Sequence, residues 1–319
     1  MGKVLLQTTE GVLSLYIVGL LGFILARTKF IGPESRMLFP KLVTVVTLPP
    51  FLFVSVLRSF DRNELIQLIH GTLVPICSIM MVFGLALLYV RVFHVRRERR
   101  GLVSVASATS NTIFIGLPVN IALFGEQAVP YVLLYFFANT TFFWTLGNYS
   151  LSLDGVRTPE KFSGIVAAKA ILSPPFLGFA LGIVMILLGR MPWKPIMDSC
   201  ALVGSLTTPL ALLFIGTTLA TCSIGSLKPD RDLVFVMLAR FVLSPLVVFL
   251  LAKTIIPVPP LMLKVFIVQS SLPAAANIAL MSAYHGSDST FGGLVVSIST
   301  LLSLVTIPML MIIFNYFQL

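Results

Sequence analysis

The stretch that decides the fold is SATSNTIFIGLP, residues 107–118. It places hydroxyl and amide side chains, then a glycine and a proline, in the middle of an apolar run long enough to cross a membrane. Proline lacks the backbone donor and disrupts the preceding turn, while neighbouring polar side chains can bond the released backbone groups. The stretch therefore predicts a helix that is broken near the centre of a bilayer.

A second interruption of the same kind is QSSLPAAAN, residues 269–277. Open backbone at the membrane centre is tolerated where it is buried in protein or lines a wet cavity. Half-helix N-termini there present free N–H groups and a positive dipole end to an anion, so a carboxylate suits such a site. The alternative is that Pro and Gly only kink these helices and that Ser and Thr serve close helix packing.

The two interruptions supply most of the candidate substrate-binding residues. These are Asn111, Thr112, Gly116, Pro118, Gln269, Ser270, Ser271, Pro273 and Asn277. Arg240 is a further candidate because it lies about 10 Å deep in an apolar run, at 1.5 Å per residue. Ionisable residues at such a depth in a membrane commonly have a functional role. It either attracts the anion or pairs with carbonyls at the end of a broken helix. All 12 acidic residues fall in loops or at the ends of runs, so none is placed to carry a proton at the midplane.

Composition sets the class of protein. Of 319 residues, 57% are hydrophobic and 11% are charged, and the mean hydropathy is +1.01. A soluble domain carries about 25% charged residues, so this is an integral membrane protein. Soluble enzymes, disordered chains and disulfide-stapled secreted domains are excluded. The net charge of +10 comes mostly from short loops between apolar runs, and we expect no nucleic-acid partner.

Apolar runs of about 20 residues predict ten transmembrane helices in an all-α protein. The predicted spans are residues 11–26, 42–57, 65–90, 102–124, 129–151, 170–188, 200–220, 233–251, 261–283 and 291–317.

The spans divide at a polar stretch into residues 1–155 and 156–319, with five spans in each part. Five is odd, so two similar halves enter the membrane in opposite orientations. The sequence Asn-Ile-Ala-Leu beginning at Asn120 recurs at Asn277. We therefore expect a 5+5 inverted repeat.

Loop charges predict the orientation. With the N-terminus outside, cytoplasmic loops carry 14 Lys and Arg residues and the opposite side carries 6. Because positive loops stay in the cytoplasm, both termini are expected outside. Residues 96–100, which hold four arginines, act as a cytoplasmic stop signal or, alternatively, bind anionic lipid or nucleic acid.

Enzyme motifs are absent from the sequence. It has no Walker loop, no His-Glu-x-x-His and no Gly-x-Ser-x-Gly, and its three histidines, His70, His94 and His285, are widely separated. We predict neither an enzymatic activity nor a cofactor.

Residues 111–118, NTIFIGLP, resemble the Asn-Thr-x-x-x-Gly-x-Pro stretch in the fourth span of the auxin efflux carrier family. That family includes plant PIN-type carriers and bacterial malate and malonate permeases. Further matches follow in the same order along the chain. They are PPFLGFALG at 174–182, TPLALLFIG at 208–216 and STLLSLVTIP at 299–308.

The resemblance implies a fold similar to bile-acid and sodium–proton transporters, with helices 4 and 9 broken and crossing at the substrate site. It also implies an elevator mechanism, in which helices 1, 2, 6 and 7 form a dimerising scaffold and helices 3–5 and 8–10 move. Asn111 matches the family's carboxylate-contacting asparagine, and Pro118 and Pro273 match its crossover prolines.

The predicted function is secondary transport of small organic anions across the cytoplasmic membrane. Malate-like dicarboxylates are the first substrate class, and monocarboxylates or auxin-like acids are the next. The loop between the halves is short, unlike the long insert of typical plant auxin carriers, which favours a compact bacterial-type carrier. The expected partners are the substrate, membrane lipid and a second copy of the chain. The alternative is a channel or a non-transporting sensor on the same scaffold.

Overall fold

The computed structural model of the protein describes residues 2–36, 38–60, 70–155, 173–220 and 230–316. Within these ranges the regular structure is helical and no strand occurs. The all-helical class predicted from the sequence is therefore confirmed for the described chain. The loop between the predicted halves, from residue 156 to 172, lies outside the described residues, as do the predicted span ends 65–69, 170–172 and 317.

The main α-helices follow one another in chain order. They are α1 (Gly2–Arg27), α2 (Leu48–Ser59), α3 (Leu73–Val92), α4 (Arg100–Ala108), α5 (Gly116–Phe124), α6 (Val129–Phe142), α7 (Asn148–Asp154), α8 (Pro174–Leu187), α9 (Lys194–Ser205), α10 (Thr207–Leu219), α11 (Arg231–Leu238), α12 (Ser244–Thr254), α13 (Pro260–Ser270), α14 (Asn277–His285) and α15 (Ser289–Tyr316). Turns of π-helix precede α2 (Leu42–Thr47) and join α6 to α7 (Phe143–Gly147) and α11 to α12 (Ala239–Leu243).

Among the residues that the structure describes, six continuous helical segments are long and apolar enough to cross a membrane. They are Glu34–Ser59, His70–Val92, Glu126–Asp154, Lys194–Leu219, Arg231–Thr254 and Ser289–Phe314. Three shorter apolar helices, Leu13–Arg27, Pro174–Leu187 and Pro260–Ser270, accompany them. The arrangement of ten spans as a 5+5 inverted repeat stays a prediction.

Among the main α-helices, two begin six or more residues before the apolar run that predicts them. The first helix begins at Gly2 instead of residue 11, since polar residues can continue a helix beyond its apolar part. Helix α9 begins at Lys194 instead of residue 200. Pro195 occupies its first turn, where the missing N–H is not needed by the helix and the fixed φ favours helix initiation. Pro195 lies outside the apolar run that predicts this helix, so the run alone does not indicate where the helix begins.

The chain divides into two compact units by its internal contacts. The first comprises Met1–His70, Ile113–Leu133 and Leu172–Thr221, and the second Gly71–Thr112, Leu134–Ile171 and Cys222–Leu319. A compact unit is not the same thing as a sequence repeat. The predicted repeats, 1–155 and 156–319, and the assignment of scaffold and transport helices therefore stay predictions.

In the first unit, α1 packs against α10 with their backbones nearly touching. A Cβ atom added at Gly22 would collide with the carbonyl oxygen of Leu213, and one added at Gly216 would collide with that of Gly19. Small residues let helices approach this closely in membranes, where packing drives their association. The same unit packs α2 against α8 and α9.

In the second unit, α4 is a buried helix anchored at its N-terminus by a carboxylate from α7. Asp154, the last residue of α7, accepts hydrogen bonds from the backbone N–H groups of Gly101 and Leu102, each at 2.8 Å. These donors belong to the first turn of α4, which has no intrahelical acceptors for them. The carboxylate also favours the positive end of the helix dipole. α4 is thus fixed at the end opposite to its break.

Candidate substrate site

Two helical runs are interrupted in the structure. α4 ends at Ala108, the backbone of Thr109 is extended (φ −106°, ψ 138°), and α5 begins at Gly116. α13 ends at Ser270 and α14 begins at Asn277. Both interruptions fall within the stretches that the sequence singles out. We call residues 109–115 the first break and residues 271–276 the second break.

The first residues of the first break pair with the second break as a short antiparallel bridge. Ser110 and Ala274 lie opposite each other. The N–H of Asn111 donates to the carbonyl of Pro273 at 2.9 Å, and the N–H of Ala275 donates to the carbonyl of Thr109 at 3.3 Å. Buried backbone groups must be hydrogen-bonded inside a membrane, and the two interruptions satisfy each other.

The outer edges of this bridge are bonded by side chains of other helices. Asn139 of α6 accepts from the N–H of Ser110 at 2.9 Å and donates to its carbonyl at 3.0 Å. Ser299 of α15 accepts from the N–H of Ala274 at 3.1 Å. Sequence reasoning gave neither residue a role at the site. The available signal for Asn139 was an amide side chain near the middle of an apolar span.

Arg240 is fully buried in the π-helical turn between α11 and α12. All three guanidinium nitrogens donate. Nε bonds the carbonyl of Leu272 at 3.0 Å, and Nη1 bonds the carbonyl of Ser107 at 3.1 Å. Nη2 bonds the hydroxyl of Ser110 at 2.7 Å and the carbonyls of Ser270 and Leu272. Of the two roles left open by the sequence, this geometry favours pairing with carbonyls at the ends of broken helices.

Asn111 and Thr112 differ from their neighbours in having unused side-chain groups. Both are nearly enclosed, with Asn111 7% exposed and Thr112 4% exposed. The backbone N–H of Asn111 is bonded in the bridge, yet no described residue bonds its side-chain amide, and none bonds the Thr112 hydroxyl. A fixed backbone therefore holds an amide and a hydroxyl that can bind a ligand.

Gln269 lies fully buried at the end of α13. Its Nε2 is 3.4 Å from the Thr112 carbonyl, and its Oε1 has no hydrogen-bond partner among the described residues. The hydroxyls of Ser270 and Ser271 donate to carbonyls of α13, those of Ile267 at 2.8 Å and Val268 at 2.9 Å respectively. The hydroxyl hydrogens of both serines are therefore used in these bonds, whereas the hydroxyl oxygens can still accept a hydrogen bond.

Pro273 lies within the second break, and Asn277 directly follows it. Pro273 is buried and offers its carbonyl to the N–H of Asn111. Asn277 is the first residue of α14 and its side chain is exposed. The side chain of Asn277 therefore lies in a different environment from the enclosed amide of Asn111.

Gly116 and Pro118 belong to α5, in the first unit. Gly116 is the first residue of that helix, and its carbonyl accepts from Nδ2 of Asn120 at 2.8 Å. Pro118 lies in the first turn, where a missing N–H leaves no helix bond unmade. Pro118 therefore marks the start of a half-helix.

Metal ligation has no candidate cluster in the part of the chain that the structure describes. No group of three or more His, Cys, Asp or Glu side chains there is arranged to hold an ion. The polar groups at the breaks are instead backbone carbonyls, amides, hydroxyls and one guanidinium.

A family described as "Membrane transport protein" matches residues 7–311. The chain belongs to this family. It is the auxin efflux carrier family that the motifs indicate, and this resemblance is therefore confirmed. Together with the six long apolar helices, family membership makes the chain a multi-pass membrane protein of a transporter family.

Curated relatives are similar along nearly their whole length. An uncharacterized transporter of Methanothermobacter thermautotrophicus is 26% identical over 313 residues, which is 96% of this chain and 98% of the relative. An uncharacterized transporter of Methanocaldococcus jannaschii is 23% identical over 306 residues, covering 93% and 96%. A putative malonate transporter of Rhizobium meliloti is 23% identical over 313 residues, covering 94% of each chain.

Proposed function

We propose that the protein is a secondary transporter of small organic anions, with malate-like and malonate-like carboxylates as its first substrate class. The observation that carries this proposal is the unused side-chain amide of Asn111, nearly enclosed beside a bonded bridge. An amide offers two N–H donors. Asn111 and the Thr112 hydroxyl can replace water around a carboxylate without adding a net charge to the site.

The relatives support the same class of substrate. One of them is named a putative malonate transporter, and malonate and malate both carry two carboxylates. Substrates with one carboxylate, including auxin-like acids, form the second class to be tested.

The proposed mechanism is an elevator. In the numbering of the ten predicted spans, spans 3–5 and 8–10 carry the substrate past a scaffold of spans 1, 2, 6 and 7. Two copies of the chain form a homodimer through this scaffold. Exposed apolar side chains such as Leu13, Leu88 and Ile312 face membrane lipid in this arrangement. After the substrate is released, a site of neutral donors keeps no unpaired charge. It therefore returns across the membrane more easily than a site that keeps an unpaired arginine, because an unpaired charge is costly to bury.

Transport is expected to be driven by membrane potential acting on the charged substrate or, alternatively, by a cation bound to neutral oxygen ligands. Proton-coupled carriers commonly use a carboxylate inside the membrane. The two buried acids of the described residues, Asp154 and Asp232, lie at helix ends. Neither is placed in the middle of a span.

Replacing Asn111 tests the site. Asn111→Ala removes donors to a charged group, each worth about 1.5 to 3 kcal/mol, or roughly a 10- to 150-fold loss in affinity. Asn111→Asp should bind more weakly still, because its charge opposes the substrate. Malate, malonate and monocarboxylates are titrated against purified protein by calorimetry, and uptake is measured in proteoliposomes.

Two controls accompany this test. Asn277→Ala removes an exposed amide from the first residue of α14 and should have a smaller effect. Gln127→Ala changes an exposed residue of the short 3-10 helix Glu126–Ala128 and should match the parent. A folded Asn111→Ala protein that binds like the parent would refute the proposed site. Counterflow of labelled substrate against preloaded substrate distinguishes a carrier from a channel, and its absence would overturn the carrier proposal.

The proposed orientation in the cell membrane has both termini outside and residues 96–100 in the cytoplasm. Single cysteines at Gln7 and at Glu98, an exposed residue, in a background without the native cysteines, should label from opposite sides of intact cells. An impermeant maleimide should react with Gln7→Cys and spare Glu98→Cys until the cells are opened. Labelling of Glu98→Cys from outside would reverse the orientation.

A further inference from the structure

Arg240 is a buried cation that is bonded entirely to neutral oxygens. Its acceptors are the carbonyls of Ser107, Ser270 and Leu272 and the hydroxyl of Ser110. None of the described carboxylates forms an ion pair with it. An unpaired charge is expensive to bury, so these oxygens must supply the compensating negative potential.

The acceptors lie at the C-terminal ends of two helices. Ser107 is in the last turn of α4, Ser270 is the last residue of α13, and Leu272 follows in the second break. The last four carbonyls of a helix have no intrahelical donors, and each helix end carries roughly half a negative charge. Two such ends together offer about one negative charge, which a single guanidinium balances.

The oxygen set is also of the kind that binds free cations. Carbonyl and hydroxyl oxygens are typical ligands of hard cations. Here a side chain of the protein occupies their centre. The planar fork of the guanidinium reaches oxygens of both broken helices at once, which a compact ammonium group does less well.

The arginine is connected to the candidate substrate site through the backbone. Ser110, whose hydroxyl accepts from Arg240, directly precedes Asn111. The N–H of Asn111 in turn donates to Pro273, the residue after Leu272. Holding Ser110 and Leu272 together therefore fixes where the Asn111 amide lies.

We propose that Arg240 is a positioning residue that acts as a tethered cation, filling a guanidinium-shaped cation site built from the C-terminal ends of the two broken helices. The protein thereby supplies at this place the charge that a coupling cation would otherwise bring. Removing the side chain leaves an oxygen-lined site that takes up free guanidinium. The transport readout of this proposal rests on the proposed function, whereas its binding readout does not.

The experiment uses full-length Arg240→Ala, purified with and without millimolar guanidinium chloride. Its thermal unfolding midpoint should rise with guanidinium at concentrations of about 1 to 10 mM, as for a weak site, while the parent's midpoint does not rise. Urea, which is neutral and of similar shape, should give no rise. Absence of stabilisation by guanidinium, or equal stabilisation by urea, would overturn the proposal.

Transport provides a second readout that a general loss of packing would not reproduce. Uptake by Arg240→Ala in proteoliposomes should fall at least about 100-fold, as expected when a buried charge network loses a partner. Guanidinium should restore part of this uptake, and Na⁺, K⁺ or urea should restore less. Equal rescue by urea would contradict a cation site.

Two variants with side chains of similar length to each other keep the proposal testable if Arg240→Ala does not fold under any condition. Arg240→Lys retains the charge and should keep uptake within about tenfold of the parent, whereas the neutral Arg240→Met should lose about 100-fold. Equal behaviour of the two variants would overturn the role of charge. If guanidinium stabilises Arg240→Ala but the parent transports no carboxylate, the proposed function fails and the cation site stands.

Discussion

Two arginines of the second unit, Arg240 and Arg99, have their positive charges balanced in different ways. Each joins segments that are far apart in the chain. Arg240 is fully buried and bonds carbonyl and hydroxyl oxygens. Arg99 has a side chain 17% exposed, forms ion pairs with Asp230 and Asp288, and lies 4.2 Å from the ring centre of Phe291.

The difference follows from access to water. A carboxylate near the surface keeps part of its hydration, so pairing it with arginine costs little and stabilises little. In a dry interior, two charges must both lose their hydration, and that cost can exceed their attraction. The carbonyls at helix ends are already present and unbonded. The interior arginine can therefore be balanced without burying a carboxylate.

The electrostatics of Asp230 illustrate the surface case. Burial acts to raise its pKa, but hydrogen bonds from Arg99 and from the N–H of Asp232, together with the charge of Arg99, outweigh it and lower the pKa. The same carboxylate also caps α11 by accepting from the N–H groups of Asp232 and Leu233. One side chain thus starts a helix and joins it to Arg99.

The largest expected effect among the substitutions that test this comparison is at Asn139. Asn139→Leu leaves the N–H of Ser110 unbonded in the interior, at about 1 to 3 kcal/mol. It also removes one of two hydrogen bonds to the carbonyl of Ser110, which still accepts from the N–H of Thr112 at 3.0 Å, at about 0.5 to 1.5 kcal/mol. Unfolding in detergent should therefore show a loss of about 1.5 to 4.5 kcal/mol that salt does not change. Asn277→Ala, which removes an exposed amide, is the matched control. A loss below 1 kcal/mol at Asn139 would mean that other groups or water bond Ser110.

An intermediate effect is expected at Asp154, which caps α4 from α7. Asp154→Asn keeps one acceptor oxygen but loses the charge and one of two backbone bonds, so stability should fall by about 1 to 2 kcal/mol. Uptake in proteoliposomes should persist, because the group lies at a helix end and carries no proton across. Abolished uptake in a protein that still unfolds cooperatively would show a proton-carrying role for this carboxylate.

The smallest effect is expected in the surface cluster around Arg99. Asp230→Asn keeps an oxygen for the cap of α11 and removes the ion pair, so stability should fall by less than about 1 kcal/mol. The difference in stability between variant and parent should shrink as the salt concentration rises from about 50 to about 500 mM, because salt screens the ion pair. Asp198→Asn, at an exposed position, serves as the control.

Acid provides the second readout for Asp230→Asn. Because the folded pKa of Asp230 is lowered, its contribution is complete above the ordinary carboxyl pKa and is lost as pH falls through the lowered pKa. Parent and variant should therefore converge in stability at strongly acidic pH. A difference that is independent of both salt and pH would show that the substitution acts through packing or the helix cap.

The sequence was sufficient for the helical class and for the positions of the breaks. Polar residues beside Pro118 and Pro273 interrupt apolar runs, and that signal is local. Helix starts at Gly2 and Lys194 were missed because a helix can extend beyond its apolar core. The role of Arg240 stayed open since its acceptors are mainly backbone oxygens, which every residue possesses. Asn139 was missed because it lies 29 residues from Ser110, and only the fold brings them together.

The two hydrogen bonds between the side chain of Asn139 and the backbone of Ser110 limit the residues that position 139 can tolerate. A side chain there must present one donor and one acceptor in a single plane, as the backbone of a neighbouring strand would. Aspartate lacks the donor, serine cannot span both groups, and glutamine carries an extra methylene that shifts the amide. Among the twenty amino acids, asparagine alone fits, so natural variation at this position should be far narrower than at the apolar positions around it.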